Sequence, residues 1–222
     1  MPRRTLVVAP HPDDEVLGCG GTLLRRKSEG YSLGWLIMTG MSVSAGWTAE
    51  RVLSRDAEID VVAEMIGFDE VFNLRLPTTS LDTLPMADLI EKVSAVFASF
   101  RPEEVFVPNR SDIHTDHRIT FDVVAACTKW FRCPSVRRVF AYETISETDF
   151  CLDSAGAFRP NVFIDVGEYV ERKIEILKVY ESELGAAPFP RSIDAVRAQG
   201  VLRGVASGFA MAEGFQLLRE RQ

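Results

Sequence analysis

The histidines of this chain are concentrated in two short segments that are also rich in carboxylates. The 222-residue sequence contains three histidines. One lies in residues 9–15, Ala-Pro-His-Pro-Asp-Asp-Glu, and two lie in residues 112–117, Asp-Ile-His-Thr-Asp-His. Imidazole and carboxylate groups together are typical ligands of a divalent metal such as zinc. We therefore predict that the two segments form one metal site.

Three of these side chains could bind a metal and still leave room for a substrate. His11 and Asp14 lie three residues apart in a loop stiffened by Pro10 and Pro12, and His117 could complete a His/His/Asp set. A catalytic zinc keeps open coordination positions, whereas a structural zinc does not. The alternative is that these are loop histidines beside aspartates that cap a helix. The lack of histidine elsewhere in the sequence favours the metal site.

Asp13 is expected to differ in role from its neighbour Asp14. Adjacent residues of an extended loop point in different directions, so if Asp14 faces the metal, Asp13 could face a water molecule on that metal. A carboxylate there can accept the proton of a water whose pKa the metal lowers toward about 7. We predict Asp13 as a general base, with helix capping as the alternative.

The second segment offers a candidate acid. His114 lies three residues before His117, with Asp116 between them. If His117 binds the metal, His114 need not; paired with Asp116, it would stay protonated and face the substrate as an electrophile or acid. A site with four protein ligands is the alternative. We favour the first interpretation because hydrolysis requires an acid as well as a base.

Composition indicates one globular domain. Hydrophobic residues make up 46% and charged residues 26% of the chain, which is typical of globular proteins. The net charge is -7 and no segment is rich in Lys and Arg, which disfavours nucleic-acid binding. The sequence has no membrane-spanning run of roughly 18 apolar residues and no secretion signal. We expect a single domain over residues 1–222, located in the cytoplasm.

The cysteines and the glycine-rich segment have structural interpretations. The four cysteines lack Cys-x-x-Cys spacing and are expected to be reduced, mostly buried thiols. Residues 18–21, Gly-Cys-Gly-Gly, contain neither of the common phosphate-binding glycine motifs. We interpret these glycines as a surface for close packing of the first helix, and Cys19 as a core thiol rather than a nucleophile.

Hydrophobic periodicity predicts strands that alternate with helices. The predicted strands are 5–8, 33–39, 70–76, 104–108, 136–142 and 162–166. The predicted helices are 15–30, 49–66, 86–100, 119–131, 169–183 and 193–205. This alternation predicts an α/β fold with a mostly parallel sheet and helices on both faces. Both His/Asp segments follow a predicted strand, and the carboxyl ends of such strands meet at one edge.

Together these motifs resemble the LmbE-like, or PIG-L, deacetylase superfamily. The resemblance rests on His11-Pro12-Asp13-Asp14-Glu15 with Gly18 and Gly20-Gly21, and on Asp112-x-His114-x-Asp116-His117. Further matching positions are Arg55-x-x-Glu58, Gly67, Lys173, Tyr180-x-Ser182 and Ala212-Glu213-x-Phe215. The resemblance implies a Rossmann-like fold and a zinc-dependent hydrolase that removes the N-acetyl group of an N-acetylglucosamine-type substrate.

The resemblance also implies a role for each matching residue. The implied ligands of zinc, or of another divalent metal, are His11, Asp14 and His117. Asp13 corresponds to the general base, His114 to the protonated group that stabilises the oxyanion, and Asp116 to its orienting partner. Arg55 corresponds to a residue on the substrate side of the pocket, whereas its position alone would suggest a solvated helix arginine.

Some features leave the substrate open. The family often has Gln after Tyr-x-Ser, but this chain has Glu183. Arg110 and Arg118 beside the second segment could favour an anionic sugar, although solvated loop arginines are the simpler interpretation.

Two other functions compete with N-deacetylation. One is an amidase that cleaves a larger acyl group or a sugar-thiol conjugate with the same residues. The other is a non-catalytic protein with a Rossmann-like fold that binds a nucleotide or a sugar, which Asp13 and His114 disfavour because binding needs neither base nor acid. The expected partner is a small N-acetylated sugar or glycoconjugate, and the resemblance is compatible with a homo-oligomer.

Overall fold

The chain alternates strands and helices along most of its length in a computed structural model that describes residues 3–152 and 154–222. The strands are β1 (Arg4–Ala9), β2 (Ser32–Gly40), β3 (Glu70–Pro77), β4 (Glu104–Pro108), β5 (Arg138–Tyr142), β6 (Val162–Asp165) and β7 (Ala212–Glu220). The α-helices are α1 (Asp14–Ser28), α2 (Ala49–Ile66), α3 (Met86–Phe100), α4 (Thr115–Cys127), α5 (Val170–Leu177) and α6 (Ile193–Val205). None of the helices in these described ranges is long and apolar enough to cross a membrane.

The strands form one sheet in the order β3-β2-β1-β4-β5-β7-β6. Strands β1 to β5 are parallel, and β7 pairs antiparallel with both β5 and β6. The chain moves outward from β1 in one direction through β2 and β3, and in the other through β4 and β5. Such a reversal leaves a crevice beyond the carboxyl ends of the two central strands. The predicted mostly parallel, Rossmann-like fold is confirmed.

Alternate strand residues face two separate hydrophobic cores, because successive side chains of a strand point to opposite faces. Val7 and Ala9 of β1 pack in a core with α1, α2, α5 and α6. Leu6 and Val8 pack in the other core, with α3 and α4. Burial on both faces explains why the central strands are almost continuously apolar in sequence, and it holds their carboxyl ends rigidly in place.

Two predicted helices have different bounds. The helix predicted at 119–131 begins at Thr115, because His114 caps it: its Nδ1 accepts the backbone N–H of Asp116. The helix predicted at 169–183 ends at Leu177 and is followed by a short 3-10 turn at Glu181–Glu183. Because the helix ends at Leu177, this turn can pack against the loop after β1.

The C-terminal strand β7 was not predicted. Its first four residues are buried, but its last three are exposed and two of these are charged, so its sequence shows little strand propensity. Pairing with β5 and β6 on both sides stabilises it instead. This strand carries Glu213, which contacts α1.

The glycines of α1 allow the close packing expected from the sequence. A Cβ added at Gly18 would overlap Cδ2 of the Tyr142 ring. At Gly200, on α6, an added Cβ would come no closer than 3.9 Å to its nearest neighbour, Cβ of Met211.

These two glycines give a matched stability test. Gly18→Ala is expected to lower the free energy of unfolding by about 1–3 kcal/mol because the added methyl overpacks the core. Gly200→Ala is expected to raise it by up to about 1 kcal/mol, since Ala is the better helix former and has space there. Urea denaturation measures both. Equal effects of the two substitutions would contradict the packing described for α1.

Candidate metal centre and active site

The two His/Asp segments meet beyond the carboxyl ends of β1 and β4. These strands are hydrogen-bonded neighbours, with Val7 opposite Phe106. The loop after β1 carries His11, and the loop after β4 leads to His117 near the start of α4. The ring centroids of the two histidines lie 5.5 Å apart although more than a hundred residues separate them.

Two imidazoles and one carboxylate converge here. Oδ2 of Asp14 lies 3.3 Å from Nδ1 of His11 and 3.3 Å from Nε2 of His117. Suitable ligand atoms of the three residues all lie within 4.8 Å of one another. This donor set suits a divalent metal, and its composition of nitrogen and carboxylate oxygen is typical of catalytic zinc. The residues therefore fit a metal ion.

Each of the two imidazoles also has a carboxylate behind it. Nε2 of His11 lies 3.1 Å from Oδ2 of Asp116, and Nδ1 of His117 lies 2.8 Å from Oδ2 of Asp112. Metal-binding histidines usually donate their second ring N–H to such a group, which fixes the ring orientation. The role of Asp112 was not predicted, although its acidic type and its place five residues before His117 could have indicated it.

A second group of possible ligands lies beside the first. His11, His114 and Asp116 also bring ligand atoms within 4.8 Å of one another. However, the Asp116 carboxylate accepts the backbone N–H groups of Thr79 at 2.7 Å and Leu81 at 3.1 Å. These bonds, together with the contact to His11, engage both oxygens of the carboxylate. The group built on Asp14 therefore fits a metal better.

The contacts of Asp116 differ from the expected pairing with His114. Its carboxylate contacts His11, and only its backbone N–H contacts His114, donating to Nδ1 at 3.1 Å. Nδ1 of His114 therefore carries no proton in this arrangement. Burial and the adjacent His11 and His117 also lower the pKa of His114 to about 4. The expectation of a protonated His114 oriented by the Asp116 carboxylate does not match these contacts.

The protein electrostatics favour a positive charge between the ligands. Burial opposes ionisation of Asp14, but His117 and His11 hold the pKa of that carboxyl well below its usual range. Burial likewise opposes charge on the two imidazoles, but contacts with Asp116 and Asp14 raise the pKa of His11 to about 9. Contacts with Asp14 and Asp112 raise the pKa of His117 to about 10. The same field would stabilise a bound cation.

Asp13 lies beside this centre in a strained conformation. Its φ of 135° falls in a region that residues other than glycine rarely adopt. The carboxylate is buried and accepts a hydrogen bond from Nη1 of Arg191 at 2.8 Å. Asp13 immediately precedes α1, but its side chain makes no capping hydrogen bond to that helix. Burial, followed by the charge of Asp14, raises the pKa of Asp13 to about 7. The capping interpretation of Asp13 is therefore wrong.

Glu15 supports the strained backbone. Its Oε2 accepts the backbone N–H of Asp13 at 3.0 Å, and its Oε1 accepts the hydroxyl of Tyr180 at 2.9 Å. Burial raises the pKa of Glu15 well above its usual value. Neither this role of Glu15 nor that of Arg191 was predicted from the sequence. Tyr180 is distant from Glu15 in the chain, and Asp13 is distant from Arg191. Only the contact between Glu15 and Asp13 is local.

Arg55 is buried rather than solvated. It is 4% exposed, and its Nη1 donates to the carbonyl oxygen of Pro12 at 3.1 Å. Its Nη2 pairs with Glu183, and its guanidinium lies over the ring of Tyr180. Arg55 thus holds the first His/Asp loop against the turn that follows α5.

A cavity of about 220 Å³ opens beside the metal centre. Its lining combines apolar and charged groups and includes His11, Asp13, Met41, Trp47, Arg55, Asp56, His114, Glu183 and Arg191. The volume lies below the roughly 300–1,000 Å³ typical of clefts for drug-sized ligands. The cavity therefore suits a small substrate group.

Comparison with known proteins identifies the family. The model of the PIG-L family, described as GlcNAc-PI de-N-acetylase, matches residues 6–128, more than half of the chain. The chain belongs to the PIG-L family. A diacetylchitobiose deacetylase of Thermococcus kodakarensis is 24% identical over 97% of this chain and 83% of its own length. A probable N-acetyl-alpha-D-glucosaminyl L-malate deacetylase of Bacillus cereus is 24% identical over 84% and 86%.

A solved structure shares the fold of this chain. A conserved protein from Thermus thermophilus superposes with a TM-score of 0.78 and 28% identity, covering 98% of this chain and 96% of that one. Like its PIG-L relatives, the chain is an enzyme of the N-deacetylase type, a hydrolase of carbon-nitrogen amide bonds. This disfavours a protein that only binds nucleotides or sugars.

A buried ion pair anchors α1 behind the PIG-L site. Nζ of Lys173 lies 2.6 Å from Oε1 of Glu213 and donates to the carbonyl oxygen of Leu17 at 2.8 Å. Glu213 also accepts the backbone N–H groups of Gly21 and Thr22. The pair thus binds the middle of the helix whose first turn contains Asp14.

Arg110, Arg118 and Cys19 lie away from the proposed reacting groups. Arg110 is exposed and pairs with Asp122, and Arg118 is also exposed, which agrees with solvated arginines. Cys19 is fully buried, and burial raises the pKa of its thiol well above the usual value. The interpretation of Cys19 as a core thiol is confirmed.

Proposed function

We propose that this chain is a zinc-dependent hydrolase that removes the N-acetyl group of an N-acetylglucosamine-type amino sugar or its conjugate. The observation that supports it most is the pair of converging imidazoles, each backed by a carboxylate. Asp14 completes the ligand set, and the buried carboxylate of Asp13 lies beside it. A base next to an open metal site is the arrangement that hydrolysis requires.

The residues have distinct parts in the proposed reaction. His11, Asp14 and His117 would hold the metal, which when bound supplies a Lewis acid for the amide carbonyl. Asp13 accepts the proton of the attacking water. His114, whose Nδ1 accepts a backbone N–H, offers Nε2–H to the oxyanion as a neutral donor. Breakage of the carbon-nitrogen bond releases acetate and a free amine.

The proton of the leaving amine comes from Asp13 or from His114. Asp13 holds the proton taken from water in the first step. His114 could supply the proton only from its doubly protonated form, after Nδ1 has lost its backbone hydrogen bond, because a neutral imidazole would have to become an imidazolate. A comparison of the pH profiles of Asp13→Asn and His114→Ala enzymes addresses this choice.

The relatives and the cavity support a small acyl group on a sugar. The two named relatives act, by their names, on diacetylchitobiose and on an N-acetylglucosaminyl malate. A cavity of about 220 Å³ has room for an acetyl group. An amidase for larger acyl groups or sugar-thiol conjugates is the second candidate. Arg55 lines the same cavity and would act on the substrate side of the site by holding the Pro12 loop in place.

The setting of the enzyme is part of the same proposal. We propose that residues 1–222 form one domain and that the protein acts in the cytoplasm. The buried thiols of Cys19, Cys127 and Cys133 are compatible with a reducing compartment. A homo-oligomer stays a prediction, to be measured by light scattering.

Metal content tests the assignment directly. His117→Ala is expected to lose stoichiometric zinc, because it removes a ligand, and to lose activity. His114→Ala is expected to retain zinc and to lose most acetate release, roughly 10²–10³-fold for one oxyanion donor. Elemental analysis and an acetate assay measure the two properties. Loss of zinc in His114→Ala would indicate a fourth ligand instead.

A substrate screen completes the test. N-acetylated monosaccharides, nucleotide sugars and glycosides are expected to yield free amine, and a chelator is expected to abolish the reaction. Release of larger acyl groups without release of acetate would favour the amidase. An absence of amine from every compound would contradict the proposed function.

A further inference from the structure

The arginines that line the cavity are already engaged by carboxylates. Arg55 is paired with Glu183 through Nη2, and its Nε lies 3.2 Å from Oε2 of Glu58. Its third nitrogen, Nη1, donates to the carbonyl oxygen of Pro12. A carboxylate or a carbonyl thus lies beside each nitrogen of this guanidinium, although Nε makes no hydrogen bond to Glu58. A ligand anion would have to compete with these protein groups.

Arg191 is engaged in the same manner. Its Nη1 donates to Asp13 at 2.8 Å, its Nη2 to Glu147 at 3.3 Å, and its Nε to Ser146 at 2.8 Å. Glu183 lies 3.4 Å from Nη1 as well. The charge of Arg191 is therefore balanced within the protein.

Glu183 joins the two arginines. Its Oε1 pairs with Arg55 and its Oε2 with Arg191, and Arg51 lies 3.7 Å from Oε1. Its side chain is 28% exposed and lines the cavity. A ligand anion at this wall would meet the carboxylate of Glu183 beside arginines that are already paired.

We infer that Glu183 is a specificity-determining residue, which directs this cavity to uncharged N-acetylated sugars and against sugars that carry a phosphate or carboxylate. The inference rests on the proposed function and narrows its substrate class. The charge of Glu183 and a charge on a ligand in this small cavity would lie close together, and solvent screens such a pair only partly. One carboxylate can therefore change the preference between a neutral and an anionic ligand.

The removal of this one charge provides the test. Glu183→Gln keeps the shape of the side chain and removes one negative charge from the cavity wall. The probes are N-acetylglucosamine and N-acetylglucosamine 6-phosphate, measured on zinc-loaded protein by calorimetry and by acetate release. The matched control is Glu175→Gln, which removes an exposed carboxylate paired with Arg172 outside the cavity.

The wild-type protein is expected to bind the neutral sugar at least tenfold more tightly than the phosphate. Glu183→Gln is expected to reduce that ratio about tenfold, and Glu175→Gln to leave it unchanged. Because both variants carry the same metal, its attraction for phosphate cancels in the comparison. A wild-type preference for the phosphate, or an unchanged ratio in Glu183→Gln, would overturn the inference.

The two proposals fail in different ways. Selective binding of the neutral sugar without acetate release would contradict the deacetylase function and support the inference on specificity. Acetate release from both sugars at equal efficiency, with equal binding, would support the function and overturn the inference. Binding of neither sugar would overturn both.

Discussion

Lys173→Met is expected to lower the free energy of unfolding by about 3–5 kcal/mol, because it leaves Glu213 buried without its ionic partner. Lys173 is 4% exposed and Glu213 is 7% exposed. The substitution also removes the donor to the carbonyl oxygen of Leu17 in α1. Guanidinium chloride denaturation of the wild-type and variant proteins measures the difference.

Two further variants identify the cause of this loss. Lys173→Met combined with Glu213→Gln is expected to be more stable than Lys173→Met alone, since no unpaired charge is left in the core. The exposed pair of Lys27 and Asp69 is the control; Lys27→Met is expected to cost less than about 1 kcal/mol. A similar cost for Lys27→Met and Lys173→Met would show that burial of the pair is unimportant.

Asp13→Asn is expected to reduce the rate of acetate release by roughly 10²–10⁴-fold, because an amide cannot accept the proton of water. Asparagine has nearly the same shape and tolerates positive φ better than most residues. Its side-chain oxygen can still accept the hydrogen bond of Arg191. The variant is therefore expected to fold and to retain zinc, so that steady-state kinetics reports the base alone.

Asp56→Asn provides the matched control for this substitution. Asp56 also lines the cavity, but its carboxylate pairs with Arg75 near the surface, and only a small change in rate is expected. Near-wild-type activity of Asp13→Asn would assign the base to another residue. Loss of zinc from Asp13→Asn would instead make Asp13 a metal ligand.

The sequence was sufficient to predict the sheet and the meeting of the two His/Asp segments. Central strands buried on both faces have a continuous apolar pattern, as in β1 and β4, and parallel strands deliver their loops to the same edge. The convergence of His11, Asp14 and His117 follows from these two facts together. The predicted roles of these residues still await the metal and activity measurements.

The partners of individual side chains could not be predicted in the same way. The contact of Asp116 with His11 depends on the loop 78–81, whose backbone N–H groups bind both oxygens of the carboxylate. The contact of Arg191 with Asp13 depends on a segment 178 residues further along the chain. Such contacts have no periodic signal, because tertiary packing alone sets them. Strand β7 was not predicted because its pairing with β5 and β6 stabilises it, rather than a periodic pattern in its own sequence.

The hydrogen bond from Gly21 to Glu213 has a consequence for the order of folding. It joins residues 192 positions apart, so it forms only when nearly all of these 222 residues are available. The entropy of closing so long a loop must be overcome before the contact contributes stability. During synthesis from the N-terminus, α1 would therefore dock on the early strands first. Glu213 adds its hydrogen bonds to Gly21 and Thr22 when β7 joins the sheet, so the helix that carries Asp14 gains these contacts late in folding.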